Sequence, residues 1–469
     1  MLLRLLIVGL VTCCWCAKSE VTPLNVILML VDDLGQTDLG CYGSTYYQTP
    51  HIDKLAADGM RFTQASSACT VCSPTRASLL TGKYPARLHL TDWIPGHTQA
   101  KAKLQPPTGW AQQLPLEECT LAELFQYAGF ATASIGKWHL GGEEFFPDKQ
   151  GFGLNLGGTH RGQPSSYFSP FRIPTLPDGP EGEFLTEREA AEACRFITDH
   201  RSKRFFLYLP HHAVHTPLMG KKEIVEKYET LAKARPDVAQ GKAAYAALVE
   251  SVDDSVGRIR ARLEELGLWD STVFIFTSDN GGLVLHDTTH NLGLRAGKGS
   301  AYEGGTRIPL IIRWPGRTKP GGICHTPVIT PDLFATLRDG CALKSSGPPV
   351  DGASLLQLLA GQTQLPRDAI FWHYPHYHPG GATPYSAVRL GDLKLIHFFE
   401  DDRDELYDLK TDPAETTNLA AAKPDSVQAL RHRLETWWKE TGAQMPEPNP
   451  KFDPSRPPRG KKAPRPVQA

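Results

Sequence analysis

The chain carries almost no net charge: 50 Lys and Arg stand against 51 Asp and Glu over 469 residues, for a formal charge of -1. That balance excludes a general polyanion or nucleic-acid binder, which draws its affinity from a surplus of cations. Any preference for an anion must be local. No Asn-x-Ser/Thr sequon occurs, so nothing calls for N-glycosylation. Cys69 and Cys72 form a lone Cys-x-x-Cys pair with no second pair to match it, which removes the usual zinc frame. Lys298 is flanked by glycines but lacks the Walker spacing of a phosphate loop. Beyond the N-terminus no apolar run is long enough for a stable membrane span.

What is present is ordinary in bulk and specific in detail. At 41% hydrophobic and 22% charged residues, the composition is that of a soluble globular protein. The length allows a large core and two domains. Met1 to Ala17 has one positive charge, a short apolar core from Leu5 to Val11 and small residues near its end. This reads as a secretory signal peptide, so a secreted or periplasmic location is expected. Cys13 leaves a lipid anchor open, although Thr12 is a poor residue before it. Three of the 10 cysteines fall in this leader. Setting Cys72 aside leaves Cys41, Cys69, Cys119, Cys194, Cys324 and Cys341, an even number compatible with disulfides of undetermined pairing.

From Leu24 onward, strand-like and helix-like segments alternate, which predicts an α/β fold with a large, mostly parallel sheet. Asn25–Val31 is a continuous apolar run, as expected of a strand buried on both faces. Thr120 and Glu123 form a capping-box pattern, opening a helix that stops at Gly129. Further strands are expected over 130–135, 205–209 and 272–277, and a long helix over 242–266. Each strand releases polar residues at its end: Asp32-Asp33, Gly136-Lys137-Trp138-His139, His211-His212 with His215, and Asp279-Asn280. Ligands bind beyond the carboxyl ends of parallel strands, so four such ends imply one shared site. After about residue 346 the pattern changes. A hairpin with a Gly391-Asp392 turn and a helix from about 425 to 441 predict a smaller C-terminal α+β domain with an antiparallel sheet, over 347–445. The catalytic α/β domain is expected over 22–346. The proline-rich basic stretch over 446–469 reads as a disordered tail.

Cys72-Ser73-Pro74-Thr75-Arg76, followed by Ala77-Ser78-Leu79-Leu80-Thr81-Gly82, concentrates the chemistry. Pro74 suits the first turn of a helix, whose exposed N–H groups attract oxyanions. Arg76 adds a fixed planar cation. A nucleophile beside such a cradle points to hydrolysis of an anionic ester. Asp32 and Asp33 would repel by roughly 4 kcal/mol at 4 Å and an effective dielectric of 20, a cost that a bound cation removes. With Asp279 and Asn280 they form an all-oxygen set, which suits calcium or magnesium and not zinc. Taken alone, Asp32-Asp33 reads better as a helix cap after a strand, and Asp279-Asn280-Gly281-Gly282 fits a tight turn. Lys137 and His139, two apart on an extended segment, would face one pocket. Alone they too read as structural. Glu303 and Arg307 read as an internal ion pair.

The Cys-x-Pro-x-Arg stretch, extended through Leu-Leu-Thr-Gly, resembles the signature of the type I, formylglycine-dependent sulfatases of the alkaline phosphatase superfamily. The likeness runs from Leu24 to about Leu419, with Gly-Lys-Trp-His-Leu-Gly at 136–141, His215-Thr216-Pro217 and Gly297-Lys298-Gly299-Ser300 among its marks. The arylsulfatase and N-acetylgalactosamine-6-sulfatase branch is the most similar. The resemblance implies that a formylglycine-generating enzyme converts Cys72 to formylglycine. It implies that Asp32, Asp33, Asp279, Asn280 and residue 72 hold one divalent cation, calcium before magnesium. Lys137 would contact the sulfate and His139 the hydrated formylglycine. Lys298 would bridge the sulfate and the leaving oxygen, and His215 would lie on the substrate side. A hydroxyl of the hydrated residue 72, made acidic by the cation and Arg76, would attack sulfur, and His215 or Lys298 would protonate the leaving oxygen. One departure stands at Gly153, where the family usually has aspartate.

The implied substrate is a sulfate monoester on a carbohydrate. Two other readings stay open: a phosphomonoesterase or phosphodiesterase on the same fold, and a non-catalytic binder of sulfated glycans. Specificity is expected from loops at 94–114, 157–178 and 371–384. The last is rich in histidine, tyrosine and proline, which suits sugar binding or an irregular packed loop equally.

Overall fold

The computed structural model describes residues 24–97, 99–344 and 349–455. The expected leader over 1–17 and the last part of the tail lie outside the described residues. The larger sheet has eight strands: β1 (Asn25–Val31), β2 (Met60–Phe62), β3 (Ala131–Ile135), β4 (Leu154–Leu156), β5 (Phe205–Pro210), β6 (Thr272–Ser278), β7 (Leu310–Arg313) and β8 (Gly322–Cys324). Their spatial order is β8-β2-β7-β6-β1-β5-β3-β4. Only β7 runs antiparallel to its neighbours; β1 pairs in parallel with both β5 and β6. The sequence expectation of a large, mostly parallel sheet is met.

β1 shows why its sequence is apolar without alternation. Ile27, Met29 and Val31 enter one core and Val26, Leu28 and Leu30 the other. Successive side chains of a strand point to opposite faces, so helices on both faces demand an unbroken apolar run. The first core includes Leu248, Val252 and Val256 of the long helix Ala243–Glu265. The second includes Ala77, Leu79 and Leu80 of α1, defined here as Cys72–Thr81. The predicted capping box is formed: Thr120 Oγ1 accepts from Glu123 N at 3.1 Å, and Thr120 N donates to the Glu123 carboxylate at 2.7 Å.

Beyond residue 368 a four-stranded antiparallel meander follows: β9 (Ala369–Tyr374), β10 (Tyr385–Leu390), β11 (Leu393–Phe398) and β12 (Arg403–Asp408). The predicted Gly391-Asp392 turn joins β10 to β11. Helix α2 (Pro424–Thr441) covers this sheet through Leu430, Leu434 and Trp437, with Trp437 stacked on Phe371 at 4.9 Å between ring centres. The same core takes in Cys69 and Val71, so the small sheet is packed against the start of α1.

Three expectations need correction. The Phe371–Pro384 stretch is not one loop, because Phe371–Tyr374 belongs to β9. Its Tyr374 and His376 are fully buried, which removes them from any sugar-facing surface. The tail does not begin at 446: Glu447–Pro448 pairs with Leu104–Gln105, and Glu447 accepts hydrogen bonds from Thr108 and Gln105. Local composition cannot register a partner more than 300 residues away. Among the described residues no disulfide forms: Cys41, Cys69, Cys72, Cys119, Cys194, Cys324 and Cys341 are all unpaired. At Gly153 a side chain would meet only ordinary contact with Thr132, so the backbone does not demand glycine there.

Candidate active site

Four strand ends converge on one buried cluster. Asp32 and Asp33 follow β1, with Asp33 in a left-handed conformation (φ 64°) that turns its carboxylate back toward the end of β6. Asp33 N donates to Asp279 Oδ1 at 3.2 Å, and Asn280 Nδ2 donates to Asp33 Oδ1 at 2.8 Å. Three cations face the three carboxylates. Arg76 donates to Asp279 Oδ2 from Nε at 3.0 Å and from Nη2 at 2.8 Å. Lys137 Nζ donates to Asp32 Oδ2 at 2.6 Å. Lys298 Nζ lies 2.6 Å from Asp33 Oδ1. The six formal charges cancel, which is what makes so dense a buried cluster tolerable.

The pKa shifts follow from this arrangement. Burial would raise the Asp33 carboxyl, but Lys298, then His215 and Lys137, outweigh it and hold it below the usual carboxylate range. Asp279 is pushed up to about 6 by burial and by the neighbouring charge of Asp32. Burial would lower Lys298, yet Asp33 holds its ammonium above the ordinary lysine range. His215 is pushed down to about 3 by burial and by Lys298.

Cys72 is the first residue of α1, and its Sγ lies 3.4 Å from His139 Nδ1. The other ring nitrogen of His139, Nε2, lies 2.6 Å from the carbonyl oxygen of Ile94. A carbonyl only accepts, so the imidazole proton belongs on Nε2 and Nδ1 presents a lone pair to residue 72. Burial, then the charge of Lys137, lowers His139 well below the ordinary histidine value, so it stays neutral. Lys137 and His139 reach one pocket, but not by strand alternation. β3 ends at Ile135, Gly136 has φ 120° and His139 φ 60°. A side chain at Gly136 would come within 2.1 Å of the Pro210 carbonyl oxygen, so glycine is required for the chain to turn there.

All ten residues singled out from the sequence, namely Asp32, Asp33, Cys72, Arg76, Lys137, His139, His215, Asp279, Asn280 and Lys298, belong to this cluster. Their accessibility differs. Arg76 and Lys137 are fully buried with their donors committed to protein oxygens, whereas Lys298 and His215 keep some exposed side chain. His211 and His212 lie behind the site: their Nδ1 atoms each sit 2.6 Å from one oxygen of the buried Glu189 carboxylate. Sequence reasoning passed over Glu189, Ser73 and Ile94. Ser73 Oγ donates to the His139 carbonyl and accepts from Ile94 N, tying the start of α1 to the loop that orients His139. Adjacency to Cys72 was a signal for Ser73. Glu189 is one acid among several in its helix and Ile94 acts through its backbone, so neither carried a signal.

The residues fit a hard divalent cation. Asp32 Oδ1, Asp33 Oδ2 and Asn280 Oδ1 are buried oxygens that accept no hydrogen bond. Buried polar atoms are seldom left so, and three oxygens of this type are the donor set of calcium or magnesium. Asp32, Asp33 and His215 also bring ligand atoms within 4.8 Å of one another. His215 was expected only on the substrate side.

Comparison with known proteins agrees with this chemistry. The family model described as sulfatase matches residues 24–339, and one described as N-sulphoglucosamine sulphohydrolase, C-terminal, matches residues 297–441. The chain is 32% identical to human (Homo sapiens) arylsulfatase A over 465 residues, covering 87% of this chain and 86% of that protein. It is 34% identical to N-acetylgalactosamine-6-sulfatase of Rattus norvegicus over 407 residues, covering 81% and 72% of the two chains. The crystal structure of Ps i-CgsB in complex with k-i-k-neocarrahexaose superposes with a TM-score of 0.76 at 26% identity, over 92% of this chain and 94% of that one.

Proposed function

Because the chain belongs to the sulfatase family and is a sulfuric ester hydrolase, we propose that it cleaves a sulfate monoester carried on a carbohydrate, using formylglycine made from Cys72 beside one bound calcium ion. The observation that carries this reading is the contact of Cys72 with the unprotonated Nδ1 of His139, in a cluster with three unpartnered acidic or amide oxygens. The sulfated-sugar part draws on relatives named for sulfated sugars, such as N-acetylgalactosamine-6-sulfatase. Secretion rests on the leader-like composition of residues 1–17. Among the described residues no helix is long and apolar enough to cross a membrane.

Asp32, Asp33, Asp279 and Asn280, with residue 72, would hold the ion. Hydrated formylglycine at residue 72 would supply the oxygen nucleophile, and calcium would supply Lewis acidity. The chain's own residues do the rest. His139 takes a proton from residue 72 at Nδ1, while Ile94 holds its ring in the required tautomer. Lys298, the most accessible of the three cations, would bind a sulfuryl oxygen and protonate the leaving oxygen. Of the two candidate acids it is the one that carries a proton at neutral pH, since His215 is held neutral. Arg76 acts by fixing Asp279, and Lys137 by fixing Asp32. Rates on p-nitrophenyl sulfate and p-nitrophenyl phosphate, measured side by side with mass spectrometry of the peptide containing residue 72, test the reading. Sulfate cleavage with an aldehyde at residue 72 is the expected result. An unmodified thiol in active protein, or a faster phosphate reaction, would overturn it.

A further inference from the structure

Asp92 is a fully buried acid that the proposed chemistry does not use. It lies two residues before Ile94, whose carbonyl oxygen fixes the tautomer of His139. One carboxylate oxygen of Asp92, Oδ1, accepts from Trp93 N at 2.9 Å and from the Tyr374 hydroxyl at 2.7 Å. The other, Oδ2, accepts from His97 N at 3.3 Å. The carboxylate thus ties both ends of the 93–97 stretch to one point, with Ile94 between them. Pro95 at the tip of this loop is exposed and Ile94 is only half-buried, so packing alone does not hold it.

The base of the loop is gripped from the small sheet. Tyr374 is the last residue of β9, and His376 follows two residues later. Both are fully buried. His376 Nε2 lies 2.8 Å from Thr91 Oγ1, and its Nδ1 lies 3.7 Å from Asp92 Oδ2. Among the described residues no lysine or arginine lies within ion-pair distance of Asp92. Burial pushes the Asp92 carboxyl up to about 7, against the pull of Tyr374, Trp93 and His97. Burial also pushes His376 down to about 3, so its ring is neutral and gives Asp92 no counter-charge. A buried acid without a cation is costly, and here all its hydrogen bonds serve one loop and its clamp. Ile94 has one other anchor, Ser73 Oγ, which accepts from Ile94 N at 3.2 Å. A hydrogen bond weakens steeply once its geometry is lost. If the Ile94 carbonyl moved away, the His139 proton could settle on Nδ1, which would then be unable to take one from residue 72.

We propose that Asp92, clamped by Tyr374 of the small sheet, is a positioning residue for His139: it fixes the 91–97 loop so that the Ile94 carbonyl keeps the imidazole proton on Nε2. The small sheet thereby takes part in the chemistry at the edge of the large one. This rests on the reading of His139 as the group that takes a proton from residue 72.

A double-mutant cycle on p-nitrophenyl sulfate, with Asp92→Ala, His139→Ala and both together, tests this. Asp92→Ala is expected to lower kcat roughly 10- to 100-fold with KM little changed, the cost of a misplaced catalytic group. Mass spectrometry should find residue 72 in the same state as in the unsubstituted protein. In the His139→Ala background the same substitution should have no further effect, because a residue that acts through His139 has nothing left to act on. Losses that multiply would show that Asp92 serves stability alone and would overturn the proposal, as would a rise in KM with kcat unchanged. Asp92→Asn keeps an oxygen for Tyr374 and Trp93 and should recover most of the rate. If Asp92→Ala does not fold, Tyr374→Phe, which removes one hydroxyl, takes its place in the cycle. Its expected loss is smaller, roughly 3- to 10-fold in kcat, and an unchanged kcat there would overturn the proposal. Full activity in His139→Ala itself would instead overturn the reading of His139 as the base, whatever Asp92→Ala does.

Discussion

Among the described residues, two buried charge clusters are finished differently. In the candidate active site, the proposed catalytic cluster, Asp32, Asp33 and Asp279 face Arg76, Lys137 and Lys298, yet three oxygens remain without a donor. In the second, called the seam because it joins Glu303 and Arg307 to Lys394 of the small sheet, Glu303, Arg307, Lys394 and Glu415 meet one another, and Glu415 also accepts from Glu303 N at 2.6 Å. None of their side-chain atoms is left without a partner. The lesson is that buried charge alone does not mark a site. Unused lone pairs of one chemical type, converging beside a nucleophile, do.

The sharpest way to break this comparison is to remove the nucleophile. Cys72→Ala should lower sulfatase kcat/KM by roughly 10³-fold or more, with a near-native melting temperature. Retained activity would place the chemistry elsewhere. Chelation should come next: EDTA is expected to abolish turnover, calcium to restore it, and the melting temperature to fall only modestly, because three cations already compensate the carboxylates. Unfolding on chelation would show that the catalytic cluster is structural like the seam. His139→Ala should lower kcat by roughly 10²–10⁴-fold while bound calcium, measured by elemental analysis, stays at one per chain.

The seam should respond in the opposite sense. Lys394→Met leaves Glu303 and Glu415 buried without their shared cation, and denaturant unfolding should show a loss of about 3–5 kcal/mol. Specific activity per folded molecule should be unchanged. The smallest effect concerns pH. Glu415 is pushed up to about 7 by burial, with the charge of Glu303 adding to it, whereas Lys394 opposes. Its folded value lies above the unfolded one, so its stabilising contribution is full below about 4.5 and is lost as pH rises through about 7. Unfolding free energy should therefore decline across that window, and Glu415→Gln should flatten the decline.

Much of this was legible in the chain. The unbroken apolar run of β1 announced helices on both faces, and polar residues after four strands announced one shared edge. What escaped was long-range or carried by the backbone. Lys137 and His139 meet the site through a left-handed turn, not through alternation. Ile94 contributes a carbonyl, which any residue would provide. The pairing of Glu447–Pro448 with Leu104–Gln105 and the free state of seven cysteines depend on partners distant in sequence.

The sequence by itself determined the layering and the chemical identity of the reacting groups, because periodicity and residue type are local properties. Only the tertiary structure decided which nitrogen of His139 faces residue 72 and which carboxylate oxygens stay free. Those depend on distances of a few ångströms between segments up to about 250 residues apart, and hydrogen bonds and ion pairs fall away steeply beyond such distances.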